Sequence, residues 1–153
     1  MIVFFRADLS SEIGTGHAMR CLSLSKELKK KGIVSKFIFR DYKDGTRSLI
    51  EKMFPNSFFI NSDSKRKKNI KNGEYRWSSD TKIDDAKKTS KILRNFDVDW
   101  LVVDHYSIDK KWENLVKKSV KNILVIDDLF DRDHDCDALT DPSMSLVTKN
   151  IYK

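Results

Sequence analysis

Gly14-Thr15-Gly16-His17 joins an apolar run to a helix-periodic one, and no other segment of the 153-residue chain is so well suited to chemistry. Glycines let a backbone approach a ligand closely and adopt positive φ. The free N–H groups and positive dipole end of a following helix favour an anion such as phosphate. The segment is not a dinucleotide fingerprint, because Met19 stands where the third glycine belongs, and no Gly-Lys-Ser/Thr follows to make a P-loop. A histidine at a helix start feels positive potential, which favours the neutral imidazole. Facing a ligand crevice, such a ring takes a proton from water. Capping the helix or binding a loop carbonyl fits the position of His17 equally well.

Other reactive side chains collect where two further apolar runs end. Asp104, His105 and Tyr106 follow one, and Asp127 and Asp128 follow the other. His105 and His134 read as structural or solvated. Asp127 and Asp128 suit a sugar hydroxyl or a cap on the next turn. Residues 127–141 carry seven aspartates, and Asp131, Asp133 and Asp135 fall at the first three ligand positions of a calcium loop. Cys136 then occupies the glycine position and Pro142 that of the bidentate glutamate, which excludes an EF-hand.

The elements that must position these groups follow from periodicity. Ile2–Arg6, Val34–Arg40, Phe58–Ile60, Trp100–Val103, Asn122–Ile126 and Ala138–Thr140 read as strands. Ala18, Cys21, Leu22, Ser25 and Leu28 lie at helical spacing, with Lys29–Lys31 and Gly32 suited to the helix end. A short helix over 46–54 stops at Pro55. Thr81-x-x-Asp84 suggests a capping box for a helix burying Ile83, Ala86, Ser90 and Leu93. Another helix over 109–120 centres on Trp112, Leu115 and Val116. Strands alternate with helices, and their runs are apolar throughout. That pattern belongs to a parallel sheet covered on both faces, so the expected fold is a Rossmann-like three-layer α/β sandwich. Ligands then bind beyond the C-terminal strand ends, at loops 7–16, 104–108 and 127–137.

Composition narrows the class further. The longest apolar run, Met1–Phe5, is far below the ~20 residues a membrane span needs. It is also too short for a signal-peptide core. Two cysteines, Cys21 and Cys136, cannot build a disulfide framework, and no Cys-x-x-Cys pair exists. A reduced, cytoplasmic protein without a membrane partner is the expectation. The net charge of +7 makes nucleic acid the first polyanion to consider. Lysines outnumber arginines 22 to 8 and are scattered, however, which favours solvated charge over nucleic-acid recognition. Residues 61–77, with six basic and two acidic side chains, read as a mobile surface loop.

Arg6-Ala7-Asp8 and Ile13-Gly14-Thr15-Gly16-His17-Ala18-Met19-Arg20-Cys21-Leu22 together resemble the N terminus of the UDP-2,4-diacetamido-2,4,6-trideoxy-β-L-altropyranose hydrolases of bacterial pseudaminic acid biosynthesis. The likeness recurs at Asp104-His105-Tyr106 with Asp109 and Trp112-Glu113. It recurs again at Val125-Ile126-Asp127-Asp128-Leu129, Asp131-Arg132 and His134-Asp135-Cys136-Asp137. The resemblance covers residues 1–141. It implies the N-terminal half of a glycosyltransferase-B architecture, with His17 as the catalytic base. It further implies Arg6, Asp8, Gly14, Thr15, Gly16, Asp104, Tyr106 and Asp127 as substrate-binding residues. The reaction it implies is attack of water at the anomeric carbon of a UDP-sugar with inversion, releasing UDP without a metal or other cofactor. Such enzymes grip UDP with a second, C-terminal domain. Here Asp141 is followed by Pro142-Ser143 instead of Gln-Asn, and 142–153 diverge. The expectation is therefore a catalytic half whose UDP-binding partner is missing or separately encoded. The alternative is a non-catalytic orphan domain that binds a sugar or partner, or nothing.

Overall fold

The computed structural model describes residues 1–61, 69–71 and 74–143. The chain runs β1 (Ile2–Ala7), α1 (Gly16–Lys30), β2 (Val34–Asp41), α2 (Arg47–Met53), β3 (Ser57–Asn61), β4 (Asn69–Lys71) and β5 (Glu74–Arg76). It continues through α3 (Ser79–Leu93), β6 (Trp100–Asp104), α4 (Lys110–Val116), a 3-10 turn at Lys117–Ser119, β7 (Asn122–Ile126) and β8 (Ala138–Thr140). Six strands form one sheet in the order β3-β2-β1-β6-β7-β8. Every pairing in it is parallel. The fold is the Rossmann-like three-layer sandwich that the alternating pattern implies.

The strands are apolar throughout because both faces are covered. Val3, Phe5 and Ala7 of β1 join Phe37 and Phe39 of β2 and Val102 of β6 in one core with Ala18 and Cys21 of α1 and Ile50 of α2. The intervening residues Phe4, Ile38, Leu101 and Val103 face the other way, into a core with Ala86 and Leu93 of α3 and Trp112 and Val116 of α4. This period-two division decides which layer each functional side chain enters. Arg6 and Arg40 enter the α3/α4 layer, whereas Asp104, in phase with Val102, enters the α1 layer.

Helix ends behave as their chemistry dictates. Gly32, at φ 72°, closes α1. The N–H groups of Gly32 and Ile33 donate to Lys29 and Leu28 carbonyls, a Schellman arrangement. The N-terminal cap of α3 is Ser78, whose hydroxyl accepts from Thr81 N, and not the expected Thr81 box. The buried stripe of α3 is Asp85, Ala86, Thr89, Ser90 and Leu93, while Ile83 is 43% exposed. The phase shifts because Asp85 turns inward to meet buried cations. Leu115 on α4 is likewise 43% exposed, and Glu113 is buried in its stead.

The expected surface loop over 61–77 is partly replaced by order. Asn69–Lys71 and Glu74–Arg76 pair as an antiparallel ribbon, and Arg76 and Trp77 are buried. Residues 62–68 and 72–73, which carry most of the basic cluster, lie outside the described residues, as do 144–153 of the divergent tail. Among the described residues no helix is long and apolar enough to cross a membrane.

Candidate functional site

From β1 the chain proceeds to β2 on one side, and from β6 it proceeds to β7 on the other. The place between the C-terminal ends of β1 and β6 is therefore a topological switch point, the position at which open α/β sheets form a ligand crevice. Ala7 and Asp104 pair across it.

The loop after β1 is built to deliver His17 there. Gly14 N donates to Ser10 O at 2.9 Å, and Ile13 N donates to Ser10 Oγ at 3.0 Å. Gly14 holds φ 79°, a conformation that strains any residue with a Cβ. Gly14, Thr15 and Gly16 are exposed, and a Cβ on either glycine would meet nothing within 4 Å. Thr15, the N-cap of α1, makes no capping bond through its side chain, in contrast to the caps Ser78 of α3 and Asp109 of α4. The start of α1 thus has no side-chain cap on its backbone N–H groups.

His17 is only 7% exposed. Its Nδ1 lies 2.6 Å from Asp104 Oδ1. A carboxylate only accepts, so Nδ1 carries the hydrogen and donates it. In the neutral ring Nε2 is then the lone-pair nitrogen, and it makes no hydrogen bond among the described residues. The ring of Tyr106 meets His17 edge-on, centroids 4.4 Å apart at 84°. Arg20, one turn further along α1, donates from Nε to Asp104 Oδ2 at 2.6 Å and from Nη2 to Oδ1 at 2.7 Å. Burial works against the Asp104 charge, but the hydrogen bonds from Arg20 and His17 outweigh it and hold the carboxyl below its ordinary range. The result is an imidazole anchored through one nitrogen and free at the other, the arrangement of a positioned base.

A second network lies beneath, in the α3/α4 layer. Arg6 donates from Nη1 to Asp8 at 2.5 Å, and from Nε and Nη2 to Asp85 at 3.2 and 2.7 Å. Asp8 also accepts from Arg40 N at 2.8 Å and from Tyr42 Oη at 2.5 Å. Burial would raise its pKa, yet Arg6 and His105 hold the carboxyl well below its usual range. His105 Nδ1 accepts from Ser107 N at 2.9 Å, so its hydrogen sits on Nε2, which donates to Asp8 at 3.1 Å. Burial pushes the His105 imidazolium pKa down. The two stacked histidines, 6.3 Å apart, are thus held as opposite tautomers.

Beyond β7, Asp127 is buried against Arg132 Nη2 at 2.7 Å and accepts from Phe130 N at 3.2 Å. His134 donates from Nδ1 to the buried Glu113 at 2.6 Å, with Asp127 3.7 Å from Nε2. Burial opposes the imidazolium, but those carboxylates prevail and raise its pKa to about 9. Arg132 also donates to the carbonyl of Ile108, strapping the loop to the end of β6.

The expected site residues therefore divide. His17, Asp104, Tyr106 and the Gly14-Thr15-Gly16 loop come together at the crevice. Arg6, Asp8 and Asp127 are fully buried, and each is engaged by protein groups. Strand parity and paired charge explain this: each carboxylate is drawn to an internal arginine. Asp104 is also fully buried, and His17 and Arg20 both donate to it. Arg20 was not among the expected residues, although its position three residues after His17 places both on one helix face. Among the described residues no three His, Cys, Asp or Glu side chains gather as metal ligands. No protein-family model matches the chain, and no curated protein does so.

Proposed function

We propose that the chain is the catalytic half of a nucleotide-sugar hydrolase, acting on a UDP-linked 2,4-diacetamido sugar of the pseudaminic acid type. The observation that carries this reading is His17 held by Asp104 through Nδ1 at the switch point, with Nε2 unpartnered among the described residues. Water attacks the anomeric carbon from the face opposite UDP. The water oxygen bonds to carbon, its proton passes to His17 Nε2, and the electron pair of the breaking C–O bond leaves with UDP. Asp104 stabilises the imidazolium so formed. UDP is a good leaving group, so a strong general acid is not needed. The exposed glycine loop at the start of α1 supplies donors for the diphosphate charge. The site is metal-independent in this scheme.

The test is UDP release from the UDP-sugar, with the chain alone and with a C-terminal UDP-binding domain added in trans. Activity is expected with the added domain. His17→Ala should lower the rate by about 10²–10⁴-fold, the usual contribution of a positioned base. Undiminished turnover by folded His17→Ala protein would remove His17 from the chemistry.

A further inference from the structure

The two aspartates that end β7 do different work. Asp127 is buried, meets Arg132 and caps the turn at Phe130. Asp128 stays partly open, with 21% of its side chain exposed, and leans toward Arg20. Its Oδ2 lies 3.7 Å from Arg20 Nη1, an ion-pair distance too long for a hydrogen bond. Its Oδ1 is buried and accepts no hydrogen bond among the described residues.

Arg20 is the complementary half. Nε and Nη2 are committed to Asp104, which leaves Nη1 as the edge directed at Asp128. Its side chain is 30% exposed. The pair thus offers a charged donor and a charged acceptor with a gap between them. An oxygen about 2.8 Å from both Arg20 Nη1 and Asp128 Oδ2 would bridge their 3.7 Å separation. An anion there would meet two carboxylates, Asp104 and Asp128, and a cation would meet the guanidinium. A neutral group that both accepts and donates is what remains, and a ligand hydroxyl, taking the place of a bridging water, is such a group. Because Arg20 and His17 share Asp104, that hydroxyl would lie on the same ligand that faces His17.

The geometry points to Arg20 and Asp128 as a pair that reads a carbohydrate hydroxyl, which accepts from Arg20 Nη1 and donates to Asp128. This rests on the crevice being the sugar site proposed above, but not on hydrolysis. The test titrates the ¹⁵N-labelled full chain with UDP-N-acetylglucosamine and, separately, with UDP. The sugar nucleotide should shift the Arg20 Nε signal and the amides of 127–129, whereas UDP alone should not. Asp128→Ala should weaken UDP-N-acetylglucosamine at least fivefold and change UDP affinity less than twofold. Arg20→Lys, which keeps charge but loses the fork, should act in the same direction. An unmoved Arg20 Nε signal in the unmodified protein, or an unchanged affinity ratio in folded Asp128→Ala, overturns the pair. A chain that binds as expected yet releases no UDP from the 2,4-diacetamido UDP-sugar with the C-terminal domain added keeps this pair and removes the hydrolase reading. Hydrolysis with the affinity ratio unchanged in Asp128→Ala does the reverse.

Discussion

At the residue scale, the site turns on which nitrogen of each histidine carries hydrogen. His17 donates from Nδ1 to a carboxylate, while His105 accepts at Nδ1 from a backbone N–H. Long-range ¹H–¹⁵N spectra at neutral pH should therefore show the Nδ1–H tautomer for His17 and the Nε2–H tautomer for His105. The same tautomer in both rings would contradict the geometry. Asp104→Asn tests the anchor. An amide at that position can present its NH₂ to Nδ1, which would invert the His17 tautomer and turn its lone pair away from water. The UDP-release rate should then fall about 10²–10⁴-fold with KM little changed, since the carboxylate touches no substrate. The tautomer signal separates this from a general loss of structure.

At the element scale, loops on either side of the crevice are held by contacts of different kinds. The loop 8–15 depends on backbone geometry. Gly14→Ala should destabilise the chain by about 1–2 kcal/mol in urea titrations, because φ 79° crowds a Cβ against its own carbonyl although the space around it is open. Gly16→Ala, without that backbone conformation, should be nearly neutral. The loop 127–137 depends on charge. His134 is held as imidazolium between Glu113 and Asp127, with a pKa raised to about 9. A folded pKa above the unfolded one, about 6.5, contributes stability that is complete below pH ~6.5 and is lost as pH rises through 9. The unfolding free energy from urea titrations should therefore fall between pH 6.5 and 9.5, by on the order of 1–2 kcal/mol after allowance for solvent screening. His134→Gln should be less stable at pH 6.5 and should lose that slope. Element positions were legible in the chain because hydrophobic period survives without tertiary knowledge: β7 and β8 fall where the pattern put them. Helix phase was less so. Asp85 turns inward because Arg6 lies opposite it, and the apolar period alone, blind to that pair, places Ile83 in the core.

At the scale of the whole molecule, the buried charges were the part that sequence could not disclose. Arg6 and Asp85 are 79 residues apart, and Arg6 and Asp104 enter opposite layers although their strands are neighbours. A motif such as Arg6-Ala7-Asp8 looks like a ligand contact in one dimension and is an internal truss in three. Arg6 bridges Asp8, under the crevice, to Asp85 of α3, which also accepts from Trp112 Nε1 of α4 at 3.0 Å. One guanidinium therefore ties β1 to both helices of its layer and leaves three planar donors no other side chain can replace. Arg6→Met fits the volume but strands two buried carboxylates. Removing one partner of such a network costs about 3–5 kcal/mol, a large share of the roughly 5–15 kcal/mol that holds a domain together. Arg6→Lys should recover only part of the loss, because an ammonium cannot fork to both aspartates. Lys30→Ala, which breaks a pair with Glu27 exposed on both sides, should shift stability by less than about 0.5 kcal/mol. Chemical denaturation of the three variants orders them. If Arg6→Met were as stable as Lys30→Ala, the arginine would be dispensable to the fold, and its place beneath His17 would need a functional explanation.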